Sequence, residues 1–125
     1  MQQEIVTRLN QNFENAAQTQ AGVTYWLARD IQGLLEYTQW RNFLEVIEKA
    51  KTACENSGQP VASHFADIHK TVEIGSGTKR DIKDLKLTRY ACYLIAQNGD
   101  PRKASIAFAQ TYFATQAGTQ EVQED

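Results

Sequence analysis

The hydrophobic period of this chain changes along its length. Phe43, Ile47, Ala50 and Cys54 recur at i, i+4, i+7 and i+11, which is one face of a helix. Leu85 and Leu87 instead alternate with Asp84, Lys86 and Thr88, the two-residue period of a strand. A chain with both periods must join helices to a sheet. Strand signals also fall at 23–27, which is β-branched and aromatic, and at 72–74. The expected class is therefore α+β, a mostly helical single domain with a small antiparallel β-sheet or hairpin. At 125 residues, one domain is the expectation.

Helical stripes cover 2–17 (Ile5, Leu9, Phe13, Ala16), 28–36 (Ile31, Leu34, Leu35), 39–56, 89–97 (Tyr90, Ala91, Leu94, Ile95) and 101–116. Thr38 and Thr88 are placed as N-caps, whose hydroxyls accept orphan backbone N–H groups. The stretch 61–70 is ambiguous, with Phe65 and Ile68 suggesting a short helix capped by Ser63. Gly33 offers room for close packing. Asn98-Gly99-Asp100-Pro101 reads as a helix stop and restart: Gly99 left-handed, Asp100 the N-cap, Pro101 in the first turn. The last helix is expected to turn Ala104, Phe108, Thr111, Tyr112 and Thr115 inward. The expected core includes Trp26, Ile31, Leu35, Phe43, Ile47, Leu94, Ile95 and Phe108. The folded domain is assigned to 1–116 and a polar, frayed tail to 117–125.

No apolar run approaches the ~18 residues that span a bilayer. The N-terminus carries Gln and Glu early and has no signal-peptide core, so a cytoplasmic location is expected. Cys54 and Cys92 lie on apolar stripes without CxxC spacing and read as buried thiols.

Reactive constellations are missing from the sequence. There is no GxxxxGK[ST] or GxGxxG phosphate loop, and Gly75-Ser76-Gly77-Thr78-Lys79 reads as a turn. His64 and His69 diverge by about 140° on a helix, unlike a two-His metal face. No serine sits in GxSxG. Asp81 and Asp84 could pair as carboxylates, but Lys79, Arg80, Lys83 and Lys86 surround them. The expectation is a protein that is not an enzyme and holds no metal or cofactor.

What remains is binding. Net charge is −2, yet residues 70–89 carry six Lys/Arg against three Asp/Glu. Lys79, Arg80, Lys83, Lys86 and Arg89 form this dense basic stretch, which runs from a hairpin, whose loop is expected to hold residues 78–81 and 83, to the start of the helix 89–97. A helix-turn-helix reading of 28–36 and 39–56 adds Arg41 beside Trp40 and Asn42 at the start of the second helix. Glu45, Glu48 and Glu55 oppose phosphate there, and a packed helical corner explains the same spacing. A solvated loop is the alternative for the hairpin.

Several blocks carry a family resemblance. They are Tyr25-Trp26-Leu27-Ala28-Arg29-Asp30, Leu35-Glu36-Tyr37, Lys49-Ala50-Lys51-Thr52-Ala53-Cys54-Glu55-Asn56-Ser57-Gly58, His64-Phe65, Ile74-Gly75-Ser76 and Lys79-Arg80. Leu87-Thr88-Arg89-Tyr90-Ala91-Cys92-Tyr93-Leu94, Gln97-Asn98-Gly99-Asp100-Pro101 and Ala109-Gln110-Thr111-Tyr112-Phe113 complete them. Over roughly residues 13–116 the chain resembles the amino-terminal domain of the DNA-damage-inducible protein D family. That region is similar in turn to the BRO-N domain of baculovirus and phage antirepressors, here through 26–37 and the helix pair after Thr88. The resemblance implies a DNA-associated, non-catalytic regulator of the SOS response, with a further charged helical C-terminal region in full family members. It supports two partners equally: single- or double-stranded DNA, or a repair protein such as a RecA-type recombinase filament. The sequence leaves the oligomeric state open.

Overall fold

In a computed structural model, residues 3–124 are described, with side chains described through residue 115. The order is α1 (Gln3–Ala16), β1 (Gln18–Gln20), β2 (Val23–Leu27), α2 (Ala28–Leu34), α3 (Trp40–Asn56), α4 (Val61–His64), β3 (Phe65–Glu73), β4 (Lys79–Leu87), α5 (Arg89–Gln97) and α6 (Ala104–Glu124). The strands form one antiparallel sheet in the order β1-β2-β4-β3, so the chain is α+β. The residues assigned to a frayed tail, 117–125, belong to α6 as far as Glu124, and their side chains and Asp125 lie outside the described residues.

One sheet face carries Trp26, Phe65, Leu85 and Leu87, all buried, and the helices pack there with Ile31, Phe43, Ile47, Leu94, Ile95 and Ile106. Trp26 anchors this core. Its indole Nε1 donates to the Phe13 carbonyl at 3.0 Å, and Phe113 meets it edge-on at 5.2 Å. Phe13 also meets Phe113 edge-on, and the Tyr112 hydroxyl donates to the Glu14 carboxylate, which ties α1 to α6. Of the expected core residues, Phe108 alone is only half-buried; the others are buried.

Several local expectations need correction. The 72–74 strand is really β3, nine residues long, and Phe65 and Ile68 lie on it rather than on a helix; the short helix α4 precedes them, behind Pro60 and not Ser63. Nine consecutive cross-strand pairs with β4 outweigh the weak local helix signal. Thr38 does not cap α3; Gln39 occupies that position and makes no side-chain cap bond. Thr88 does cap α5, accepting from Ala91 N–H at 3.2 Å. Gly33 has open space around it and hosts no close approach. Gly99 is not left-handed; it is required because a Cβ there would sit 2.9 Å from the Ile106 side chain. Pro101 lies in a turn, and Asp100, four residues before α6 begins, accepts from Arg102 N–H at 2.9 Å. The buried face of α6 is Ser105, Ile106, Ala109, Tyr112 and Phe113, while Ala104, Thr111 and Thr115 are exposed.

Candidate nucleic-acid interface

Strands β3 and β4 run in unbroken register from Phe65 opposite Leu87 to Glu73 opposite Lys79, closed by the five residues 74–78. At ~3.4 Å per residue this ribbon is about 30 Å long. From residue 69 through 83 no side chain is buried, so its far end projects from the body. The expected loop residues Lys79, Arg80, Asp81 and Lys83 are therefore not in a loop. They lie on β4, because Ile74 N–H bonds the Thr78 carbonyl at 2.8 Å and closes the turn before them.

That placement splits the basic stretch. Successive strand residues face opposite sides and paired residues share a side. Lys79 and Lys83 lie on the side of Leu85 and Leu87, in company with Asp67, Glu73 and Asp81. Arg80 and Lys86 lie on the other side with Lys70 of β3. The one carboxylate on that outer side, Asp84, is buried. So the outer side is cationic and the inner side is a mosaic of both signs. Asp81 and Asp84 fall on opposite sides and form no carboxylate pair; Asp81 instead accepts from the Thr71 hydroxyl at 3.1 Å.

Asp84 joins the ribbon to the body. Its Oδ1 accepts from the backbone N–H of Arg29 at 3.0 Å and of Leu85 at 2.8 Å, and its Oδ2 lies 3.0 Å from Lys70 Nζ. Arg29 is in the first turn of α2, whose own N-cap, Leu27, has no side-chain acceptor. Asp84 thus caps α2 from a distant strand, where a carboxylate is favoured by the helix dipole. Arg29 adds an Nε–H bond to the Lys83 carbonyl at 3.0 Å and lays its guanidinium 3.7 Å from the Trp40 ring centroid. No sign of Arg29, Lys70 or the role of Asp84 was legible in the sequence, because no local pattern reports a cross-strand contact such as that of Lys70 or one 55 residues away such as that of Arg29.

The other basic candidates are dispersed. Lys86 donates to Gln20 at 2.6 Å and lies 5.0 Å from the Tyr25 ring centroid, on the broad part of the sheet. Arg89 begins α5, half-buried, 5.3 Å from the Trp26 ring centroid. Arg41 and Asn42 are exposed at the start of α3, but Trp40 is half-buried between Arg29 and Phe43 and secures the helical corner.

A cleft of about 330 Å³ separates α3 from the ribbon's inner side, lined in part by Trp40, Glu48, Lys51, Asp67, His69 and Lys83. Among the described residues, no three His, Cys, Asp or Glu side chains converge in a way that could hold a metal. Burial pushes both thiols up, Cys92 well above its ordinary value, which disfavours the nucleophilic thiolate. No helix among the described residues is long and apolar enough to cross a membrane.

The model of the BRO family, N-terminal domain, matches residues 15–114. The DNA damage-inducible protein D of Escherichia coli (strain K12) is 51% identical over 104 residues, covering 83% of this chain and 38% of that protein. The chain therefore spans well under half the length of that relative. No solved structure matches the chain.

Proposed function

The chain belongs to the BRO family, as its N-terminal domain, and from that premise we propose that it is a non-enzymatic regulatory module of the DNA-damage response that contacts DNA through the β3–β4 ribbon. The observation that carries this reading is the segregation of charge: Lys70, Arg80 and Lys86 share one side of the ribbon, whose single carboxylate is buried. Cations on the outer side of the ribbon would meet phosphates. The similarity to DNA damage-inducible protein D supports the damage link. Arg41 remains a candidate flanking contact, and Arg89 is better placed to hold Trp26.

Two double variants test the assignment. Arg80→Ala/Lys86→Ala removes outer cations, and Lys79→Ala/Lys83→Ala removes inner ones. The outer pair is expected to weaken duplex binding and flatten its log–log salt slope by about 0.9 per lost phosphate contact. The inner pair, already balanced by Asp67, Glu73 and Asp81, is expected to change the slope little. Equal effects of both pairs would refute the face assignment. The net charge of −2 favours a second reading, a module acting on a recombinase or other repair protein without touching DNA. Absence of duplex and single-strand binding, with inhibition of a recombinase–DNA filament that the inner pair abolishes, would select it.

A further inference from the structure

We propose that the outer edge of β3 pairs antiparallel with β3 of a second copy of this chain, with Thr71 on the two-fold axis. The two edges of the sheet differ sharply. Strand β1 is three polar residues, whereas β3 is nine residues with no proline and no bulge in its register. The free N–H and C=O groups of such an edge are a template for another strand, and its charges Asp67, Lys70 and Glu73, which blunt it against an unmatched strand, restrict it to a partner that answers them.

The ladder bonds identify which groups are free. Thr88 N–H bonds the His64 carbonyl and Ile74 N–H bonds the Thr78 carbonyl, so even-numbered residues of this stretch turn their backbone toward β4. Asp67, His69, Thr71 and Glu73 turn theirs outward, and all four are exposed. A two-fold at Thr71 sets His69 opposite the partner's Glu73, where an imidazole N–H can donate to a carboxylate. It sets Lys70 opposite the partner's Val72, and Thr71 opposite itself, a favourable cross-strand pair. It also covers Ile74, which is 52% exposed, with the partner's Ile68. Other registers fit worse. A two-fold at Lys70 opposes Lys70 to itself and Asp67 to the partner's Glu73. A two-fold nearer Phe65 draws the edge toward the helices and leaves Ile74 uncovered. At Thr71 the two helical bodies lie at opposite ends of the joined ribbons. The edge is shorter than a standard interface, so the dimer is reversible and forms with rising concentration.

This pairing does not depend on DNA contact, and sedimentation equilibrium of the whole chain without nucleic acid tests it. The wild type is expected to show a monomer–dimer equilibrium. Thr71→Pro removes an outward N–H without touching the β4 ladder and is expected to abolish the dimer while the circular dichroism spectrum is kept. His69→Glu, set against the partner's Glu73, is expected to abolish it too, and His69→Glu/Glu73→Lys to restore it. A wild type that stays monomeric throughout, or a dimer that persists in folded Thr71→Pro or His69→Glu, overturns the proposal.

Discussion

Replacing Asp84 by alanine should destabilise the domain far more than its position on a surface ribbon suggests. The carboxylate is 1% exposed and accepts two backbone N–H bonds, from Arg29 at 3.0 Å and Leu85 at 2.8 Å. Its removal strands both donors, at ~1–3 kcal/mol each. The Arg29 bond is the one that caps α2, and the deletion also leaves the Lys70 ammonium without its counter-charge. The sum is about 3–5 kcal/mol, the range seen when one side of a buried charged cluster is deleted. Lys70 differs, since its side chain is 41% exposed and water can replace the pair. Lys70→Ala should therefore cost no more than about 1 kcal/mol. Asp84→Asn should fall between, because an amide oxygen still accepts while its NH₂ would face Lys70. Urea denaturation followed by circular dichroism gives all three values. Should Asp84→Ala cost under 1 kcal/mol, or match Lys70→Ala, the capping argument is wrong.

Four further outcomes are expected. Phe43→Ala should cost ~3–5 kcal/mol by chemical denaturation, since Phe43 is fully buried against Tyr37 and Trp40. Gly99→Ala should lower the melting temperature, through ~1–3 kcal/mol of overpacking against Ile106. Ala21→Asn should raise stability by up to about 1 kcal/mol, because Ala21 is held at a φ of 52° that asparagine tolerates better. Burial lowers the pKa of His64, whose Nδ1 lies 2.6 Å from the Thr88 hydroxyl. Its contribution is then complete above the unfolded value of ~6.5 and is lost as pH falls through the lowered folded value, since the unfolded chain binds that proton first. A pH series of melting temperatures should show this acidic limb, and His64→Gln should flatten it.

The periodic segments were legible because their information is local. The stripe of Phe43, Ile47, Ala50 and Cys54 and the Thr88 cap each lie within a few turns of chain, and α3, α5 and the buried thiols follow from them. The short hairpin β1–β2 was not legible: its strand Gln18–Gln20 has no apolar alternation. Its turn is Ala21-Gly22, both at positive φ, where asparagine-glycine is the recognisable signal.

The sequence alone determined the fold class, the family and the existence of one basic segment, since hydrophobic period, linear blocks and local charge respectively carry them. Tertiary structure alone decided how that segment is used. Lys79 and Lys83 were separated from Arg80 and Lys86 because β4 proved to be nine residues of strand, and a two-residue period assigns neighbours to opposite sides. Asp84 looked like one more charge among lysines. It became the cap of α2 only because folding brings Arg29, 55 residues away, within 3.0 Å of it, and a buried carboxylate is tolerated only where such partners exist.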